Sequence, residues 1–138
     1  TATATGGKEL WAFVPPGALP NIGATVERGY VFRTQLDGSP TVGTYAGGTL
    51  LVAGMGAAGR SFYALDVTSP RGLTQAQLKD KFRWQFPAAG DGTTAAKVGQ
   101  ALGRPRIVKA AGGSYVVLMT SGYNSTADGR GRMWMLDA

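Results

Sequence analysis

The stretch Gly47-Gly48-Thr49-Leu50-Leu51-Val52-Ala53 decides the fold, because a similar stretch returns later in the chain. Gly112-Gly113-Ser114 repeats its first three residues at an offset of 65, and an apolar run follows there too, from Tyr115 to Met119. A glycine pair that opens an apolar run is typical of a turn leading into a β-strand. A long internal repeat of this kind indicates an architecture built from repeated units.

Further pairs of segments repeat in the same order around this stretch: Leu10–Phe13 with Arg83–Phe86, Ser39–Val42 with Arg104–Ile107, and Phe62–Asp66 with Met133–Asp137. Both members of the first pair contain Trp-x-Phe, an apolar-x-apolar pattern that is typical of half-buried strands. Laid end to end, the segments form units of four strands. Four-stranded units in tandem are the blades of a β-propeller.

The sequence therefore predicts an all-β fold: a β-propeller fragment of four-stranded antiparallel blades, with one full blade plus parts of two others. Residues 1–7 read as a polar leader and residues 8–138 as the partial propeller, with a blade end at 9–13, a full blade at about 37–86 and an incomplete blade at about 102–138. The predicted strands lie near 9–13, 30–34, 39–43, 49–55, 60–67, 81–86, 105–109, 114–120 and 131–137. One short helix is predicted near 74–81, where Thr74 and Gln77 form a capping box, and 14–25 and 87–101 are predicted loops.

The composition limits the chemistry that this chain can perform. Its 138 residues include 22 glycines and 7 prolines but neither histidine nor cysteine, which excludes a disulfide framework, a thiolate metal site, a cysteine nucleophile and a histidine base. The net charge of +6 is spread without a run of like charges, so a solvated surface is favoured over nucleic-acid binding. No apolar run approaches the roughly 20 residues that span a membrane. No signal peptide is seen, so the targeting signal of an exported parent would lie outside this chain.

Two patterns resemble catalytic or nucleotide sites, and structure explains both better. Asp66 and Asp137 occupy the same position of the repeat, which favours turn residues at strand ends over acid or base catalysts. Gly54-Met55-Gly56-Ala57-Ala58-Gly59 fits Gly-x-Gly-x-x-Gly, but a strand pattern follows it where a nucleotide site needs a helix. A hairpin turn accounts for this motif. No catalytic or cofactor-binding residue is predicted, and the chain is not expected to be an enzyme.

One loop has part of a calcium-binding pattern. Asn124, Thr126 and Asp128 carry side-chain oxygens at alternate positions and precede Gly129, as in loops of the EF-hand kind. Such loops close with a glutamate at position 12, which here is Met135. A single carboxylate is too little charge for a tight site. The three residues are therefore the candidate metal ligands, a longer hairpin loop is the favoured interpretation, and we predict no tight calcium binding by this chain.

Six stretches together resemble one family: LWAFVPPG (Leu10–Gly17), DGSPTVG (Asp37–Gly43), GRSFYALDVTSP (Gly59–Pro70), LGRPRIV (Leu102–Val108), GYNS (Gly122–Ser125) and LDA (Leu136–Ala138). The family is that of the type IV pilus tip-associated adhesins, the PilC/PilY family, and the similar part is its propeller domain. The resemblance runs in order across residues 8–138, and its most specific part is Gly59–Pro70. More distantly, Ala64–Ser69 followed by Trp84 is similar to the blade-docking motif of quinoprotein-like propellers.

Membership of the adhesin family would imply an exported parent at the cell surface or pilus tip, associated with the outer membrane, that serves pilus assembly, surface motility and attachment. Its partners would be the remaining propeller blades, pilus subunits and an extracellular or host-surface ligand. Calcium would bind in the parent outside this chain. The alternatives left open are a fragment of a quinoprotein-like oxidoreductase, which the absence of paired cysteines disfavours, and a fragment of an outer-membrane assembly scaffold.

The unfinished blade leaves one further expectation. The strand Met133–Asp137 lacks a Trp-x-Phe strand beside it, and residues 9–13 are a segment of that type. We expect residues 9–13 to cover this edge, either by folding back within the chain or by exchange between two copies. Exchange would give a domain-swapped homodimer.

Overall fold

The computed structural model describes residues 6–138 and contains seven β-strands in two antiparallel sheets. The strands are β1 (Thr41–Tyr45), β2 (Gly48–Gly54), β3 (Phe62–Asp66), β4 (Phe82–Phe86), β5 (Arg106–Lys109), β6 (Tyr115–Thr120) and β7 (Met133–Asp137). One sheet has the order β1-β2-β3-β4, which we call the first blade, and the other has the order β5-β6-β7, which we call the second blade. Seven of the nine predicted strands are thus confirmed, to within two residues at each end.

The register of the two blades shows which residues are equivalent. Leu50 pairs with Asp66 in the first blade, and Val116 pairs with Asp137 in the second. Because the two aspartates hold the same place in the repeat, Val116 is the equivalent of Leu50. The offset of 65 from the glycine pairs, which matches Leu50 with Tyr115, is therefore wrong by one residue in β6. A one-residue difference matters because it moves a side chain to the opposite face of the sheet.

The hydrophobic core lies between the two blades. Leu50, Val52, Phe62 and Ala64 of the first blade are each 0% exposed, and they pack in one cluster with Val117 and Met119 of the second blade. We call the face that a blade turns toward the next blade in chain order its forward face, and the opposite face its rear face. The forward face of the first blade therefore packs on the rear face of the second.

The helices are short and more numerous than predicted. Helix α2 (Gln75–Lys79) confirms the prediction, since the Thr74 hydroxyl accepts a hydrogen bond from the Gln77 backbone N–H, and the Gln77 side chain accepts one from the Thr74 N–H. The expected loops also contain helices: α1 (Leu19–Ile22), with 3₁₀ turns at Pro16–Ala18 and Gly23–Val26, and α3 (Gly92–Lys97). The carboxylate of Asp91 caps α3 at 2.9 Å from the Thr94 nitrogen. The prediction of a single helix is therefore wrong.

Two predicted strands are also wrong. Residues 9–13 and 30–34 join neither sheet in the described part of the chain. A pattern of apolar residues indicates that one face of a segment can be buried. A strand also needs a hydrogen-bonded neighbouring strand, and the pattern does not predict one. In the second segment the apolar residues are not even buried, since Phe32 is 81% exposed.

Residues 10–18 lie on the rear face of the first blade. The Phe13 ring is 5.6 Å from the Tyr63 ring and 5.7 Å from the Phe82 ring, and Pro15 and Ala18 are buried. The expectation that residues 9–13 fold back beside β7 within the chain is therefore wrong. Residues 10–13 instead take the place of an outer strand on a blade that precedes the first.

Candidate functional site: the interface between blades

The inner end of the interface is polar and close. The Thr41 hydroxyl at the start of β1 donates a hydrogen bond to the Pro105 carbonyl at 2.7 Å and accepts one from Nε of Arg104 at 3.2 Å. Beside them, a Cβ on Gly43 would lie 3.3 Å from Cδ1 of Ile107. The missing side chain of Gly43 thus allows β1 and β5 to approach closely, which places the two innermost strands side by side.

The outer end of the interface is aromatic, and the same contact occurs twice. Phe86 of β4 packs on Trp134 of β7 with ring centroids 5.0 Å apart, and Phe13 packs on Tyr63 at 5.6 Å. Phe13 and Phe86 are equivalent in the repeat, as are Tyr63 and Trp134. These aromatic residues therefore pack between neighbouring parts of the repeat, and the same ring contact occurs at both places.

The tryptophan of each Trp-x-Phe segment behaves differently at the two places. The indole N–H of Trp11 donates to the Pro70 carbonyl at 3.0 Å. The indole nitrogen of Trp84 is buried without a hydrogen-bond partner anywhere in residues 6–138, and so is that of Trp134. The partner of an indole N–H depends on the tertiary fold, so no local sequence pattern marks these donors.

The forward face of the second blade is open. Met133 and Met135 are 72% and 66% exposed, whereas their equivalents in the first blade, Phe62 and Ala64, are 0% exposed. Val108 on the same face is also exposed. On this face the side chains of β7 are therefore open to solvent, whereas Val116 of β6 is only 7% exposed.

Asp66 has a structural role at the end of β3, as predicted for a turn residue. Its carboxylate accepts hydrogen bonds from the Thr68 backbone N–H at 2.8 Å and from the Tyr45 hydroxyl at 3.2 Å. Burial raises the pKa of Asp66, but the hydrogen bonds from Thr68 outweigh it and hold the pKa below its usual value. Burial, and next the Asp66 charge, raise the pKa of Tyr45. A carboxylate held in its ionised form by hydrogen bonds is a poor general acid or base near neutral pH.

The Gly54–Gly59 motif forms the connection between β2 and β3, as the hairpin interpretation predicted. The backbone N–H of Ala57 donates to the Asp37 carboxylate at 2.8 Å. Gly56 has a φ of +65°, and a Cβ there would collide with the same carboxylate. The glycine pattern is therefore explained by a tight loop built around Asp37.

The structure gives each candidate calcium ligand a different role. The Asp128 carboxylate binds the Arg132 guanidinium, and this hydrogen bond, together with one from the Arg130 backbone N–H, lowers its pKa. The Thr126 hydroxyl donates to the Ala96 carbonyl at 3.3 Å. Asn124 has a φ of +59° and forms part of the loop bend. Among residues 6–138, no three acidic, histidine or cysteine side chains cluster closely enough to hold a metal ion.

The described residues also contain no helix with the length and apolar character needed to cross a membrane. What they do contain is two antiparallel sheets stacked face to face, with inner strands side by side and the same aromatic contact at successive interfaces. This arrangement defines a β-propeller.

The comparison with protein families agrees and is more specific. The family described as the PilY1 beta-propeller domain matches residues 18–136, so the chain belongs to this family. The resemblance to the propeller domain of the PilC/PilY family stated from the sequence is thereby confirmed.

Known proteins resemble the chain over nearly its whole length. It is 33% identical over 135 residues to a type IV pilus biogenesis factor PilY1 homolog of Xylella fastidiosa, covering 95% of this chain and 9% of that protein. It is 28% identical over 131 residues to type IV pilus biogenesis factor PilY1 of Pseudomonas aeruginosa, covering 90% of this chain and 10% of that protein. The crystal structure of the Pseudomonas aeruginosa PilY1 C-terminal domain has the same fold, with a TM-score of 0.63 at 21% identity, over 94% of this chain and 24% of that one. The chain thus spans about a tenth of the length of these curated relatives.

Proposed function

We propose that the chain is a structural and binding module of a type IV pilus biogenesis factor that serves pilus assembly, surface motility and attachment. The observation that carries the proposal is the match of residues 18–136 to the PilY1 beta-propeller domain. The relatives named above are called type IV pilus biogenesis factors. On this proposal the parent is exported to the cell surface or pilus tip, associates with the outer membrane, and contacts pilus subunits and an extracellular or host-surface ligand.

The geometry supports a role in assembly through blade contacts. Met133 and Met135 expose on the second blade a face whose equivalent in the first blade is fully covered. Large exposed apolar side chains that occupy one face of a sheet are typical of an interaction surface. A further blade of the parent, packed as the second blade packs on the first, is the occupant that this face fits.

The proposed role is not catalytic. The chain lacks histidine and cysteine, and the Asp66 carboxylate is held by hydrogen bonds from Thr68 and Tyr45. Asp128 is engaged by Arg132, so we place any calcium of the parent outside this chain. No observation favours the quinoprotein-like enzyme or the outer-membrane scaffold over the pilus role.

The test uses the full-length parent in a bacterium that makes type IV pili. Met135→Asp puts a charge on the open face, and Tyr123→Asp puts the same charge on the loop after β6, where the side chain is similarly exposed. Both variants of the isolated chain should keep the circular dichroism of the folded protein, because neither side chain is buried. In the parent, Met135→Asp should reduce surface pili and twitching motility, and Tyr123→Asp should not.

The amount of parent protein in each strain is measured by immunoblot, so that surface pili and motility are compared between strains at known amounts of this protein. Equal pili and motility in the Met135→Asp strain, the Tyr123→Asp strain and the wild type would refute the proposal, because the open face would then have no part in pilus assembly.

A further inference from the structure

The connection that leads from residues 10–13 into β1 is longer than the repeat requires. From Phe13 to Pro40 it has eight residues more than the equivalent connection from Phe86 to Pro105. It contains α1, both 3₁₀ turns and the irregular segment that follows them. Both connections join the same positions of the repeat, so the additional residues are not needed to join them. Long connections on a rigid scaffold are where binding residues are commonly found.

A cavity of about 350 Å³ lies within this long connection. Its lining combines hydrogen-bond donors, hydrogen-bond acceptors and one aromatic ring: Asn21, Glu27, Arg28, Tyr30, Arg33 and Gln35. Tyr30 and Gln35 are half-buried, and the other four side chains are exposed, so a ligand can reach them from solvent. This cavity is formed by one continuous stretch of chain.

Arg28 and Arg33 line the cavity without an anionic partner. Within residues 6–138 every ion pair involves Asp128. Glu27 also lines the cavity, but it forms an ion pair with neither of these arginines. Two like charges at one cavity are unfavourable until an anion binds beside them, and guanidinium groups match carboxylates with paired hydrogen bonds. The two arginines therefore indicate a ligand that carries a negative charge.

The remaining polar groups indicate a ligand that also carries hydroxyl groups. The Tyr30 hydroxyl accepts a hydrogen bond from the Arg33 backbone N–H at 3.0 Å, which holds the aromatic ring in place. Gln35 Oε1 is buried and has no hydrogen-bond partner among residues 6–138. Buried polar atoms are nearly always hydrogen-bonded, so this oxygen lacks a donor. A sugar supplies both needs, since its hydroxyls donate hydrogen bonds and its C–H face packs on an aromatic ring.

We propose that this cavity binds an acidic sugar, a monosaccharide unit that carries one carboxylate. The carboxylate binds Arg28 and Arg33, and the sugar ring packs on Tyr30. Glu27 and Gln35 accept hydrogen bonds from its hydroxyls. Two arginines and one glutamate leave one positive charge at the cavity, which matches one carboxylate better than the double charge of a phosphate. The inference rests on the proposed function, because it names the chemical class of the extracellular or host-surface ligand.

The experiment is an NMR titration of the ¹⁵N-labelled chain, followed through the backbone amides of residues 21–35 and the arginine side-chain N–H groups. The probes are glucuronate, glucose, which keeps the ring but lacks the carboxylate, and acetate, which is a carboxylate without the ring. We expect glucuronate to bind with a dissociation constant of about 1 mM, as suits a ligand of this size. Glucose and acetate should each bind about tenfold more weakly, because each makes only part of the contact.

Substitutions separate the two arginines from the general charge of the chain. Arg28→Gln and Arg33→Gln should each weaken glucuronate binding about tenfold. Arg71→Gln is the matched control, because it removes the same charge from an exposed arginine in the link after β3 and should leave the affinity unchanged. All three side chains are exposed, so each variant should keep the amide spectrum of the folded chain.

Glu27→Gln distinguishes a sugar site from a simple anion site. Loss of the carboxylate removes repulsion toward every anion, so acetate should bind more tightly. Glucuronate also loses a charged acceptor for its hydroxyls, so its affinity relative to acetate should fall about threefold. An unchanged ratio would show that Glu27 does not contact the sugar hydroxyls and would contradict the proposed binding mode.

Three results would overturn the proposal. One is the absence of shifts in residues 21–35 at about 20 mM glucuronate, far above the expected dissociation constant. Another is equal affinity for glucuronate and acetate, which would identify a site for simple anions. The third is glucuronate binding that survives both arginine substitutions. The titration needs neither pili nor the parent, so its failure would leave the test with Met135→Asp unaffected.

Discussion

A substitution of Phe13 tests whether the packing of residues 10–18 on the first blade stabilises the fold. Its half-buried ring contacts Tyr63 and Phe82 with centroids 5.6 and 5.7 Å away. Full burial of a phenylalanine contributes roughly 1.5–3 kcal/mol, so half-burial contributes about 1 kcal/mol. An aromatic pair adds roughly 0.5–1.5 kcal/mol. We therefore expect Phe13→Ala to lower the free energy of unfolding by about 2 kcal/mol, a substantial part of a total of about 5–15 kcal/mol.

The assay is urea unfolding of the isolated chain followed by circular dichroism, with the midpoint and the slope fitted together. Phe32→Ala is the matched control, because it makes the same truncation at a side chain that is 81% exposed. The control should change the free energy of unfolding by no more than about 0.5 kcal/mol. Phe86→Ala, which removes the equivalent ring from Trp134, should cost at least as much as Phe13→Ala.

Equal effects of Phe13→Ala and Phe32→Ala would refute the reasoning, because residues 10–18 would then contribute nothing to the stability of the first blade. Deletion of residues 1–14 should also lower the melting temperature. The expected reason is that the deletion removes side chains that cover the rear face of the first blade, and the edge of β7 has no part in it.

Three further predictions concern individual residues. Burial raises the pKa of Asp66, but hydrogen bonds outweigh it and keep the pKa below 3.8, so the ionised carboxylate stabilises the fold above that pH. The difference in the free energy of unfolding between wild type and Asp66→Asn should therefore shrink as the pH falls below 3.8, as measured by urea unfolding across this range. Gly56→Ala should cost at least 1 kcal/mol more than Gly72→Ala in the same assay: the two glycines have φ of +65° and +66°, but only at Gly56 does a Cβ meet Asp37, and equal costs would contradict this explanation. Calorimetric titration should detect no calcium binding at micromolar dissociation constants, because Asp128 is engaged by Arg132 and Met135 holds the closing position; tight binding abolished by Asp128→Asn would contradict this.

The sequence predicts most of the sheet because each strand has a local pattern and a turn beside it. β2 follows the glycine pair at Gly47 and Gly48, and helix α2 follows the capping box of Thr74 and Gln77. In these cases local patterning and the tertiary fold agree, and prediction succeeds where they agree.

The failures occur where the deciding partner is distant in sequence. Residues 9–13 carry the Trp-x-Phe pattern of a strand, yet Trp11 and Phe13 pack on residues about 50 to 70 positions later, and within residues 6–138 no strand pairs with them. Helix α3 lies within a stretch rich in glycine, alanine and threonine, and the helix signal of this stretch is a single capping aspartate, Asp91. The second blade has one more residue between the glycine pair and the pairing position of β6 than the first blade has in β2. The glycine pairs do not show this residue, and the pairing of Val116 with Asp137 does.

The interface shows why contacts reveal this repeat better than strands do. Residues 10–13 form no strand, but Phe13 packs on Tyr63 of the first blade just as Phe86 packs on the equivalent residue of the second, Trp134. This contact is made by side chains, and it does not require the Trp-x-Phe segment to be paired in a sheet. The two pairs of rings therefore identify equivalent positions of the repeat where the strand assignment does not.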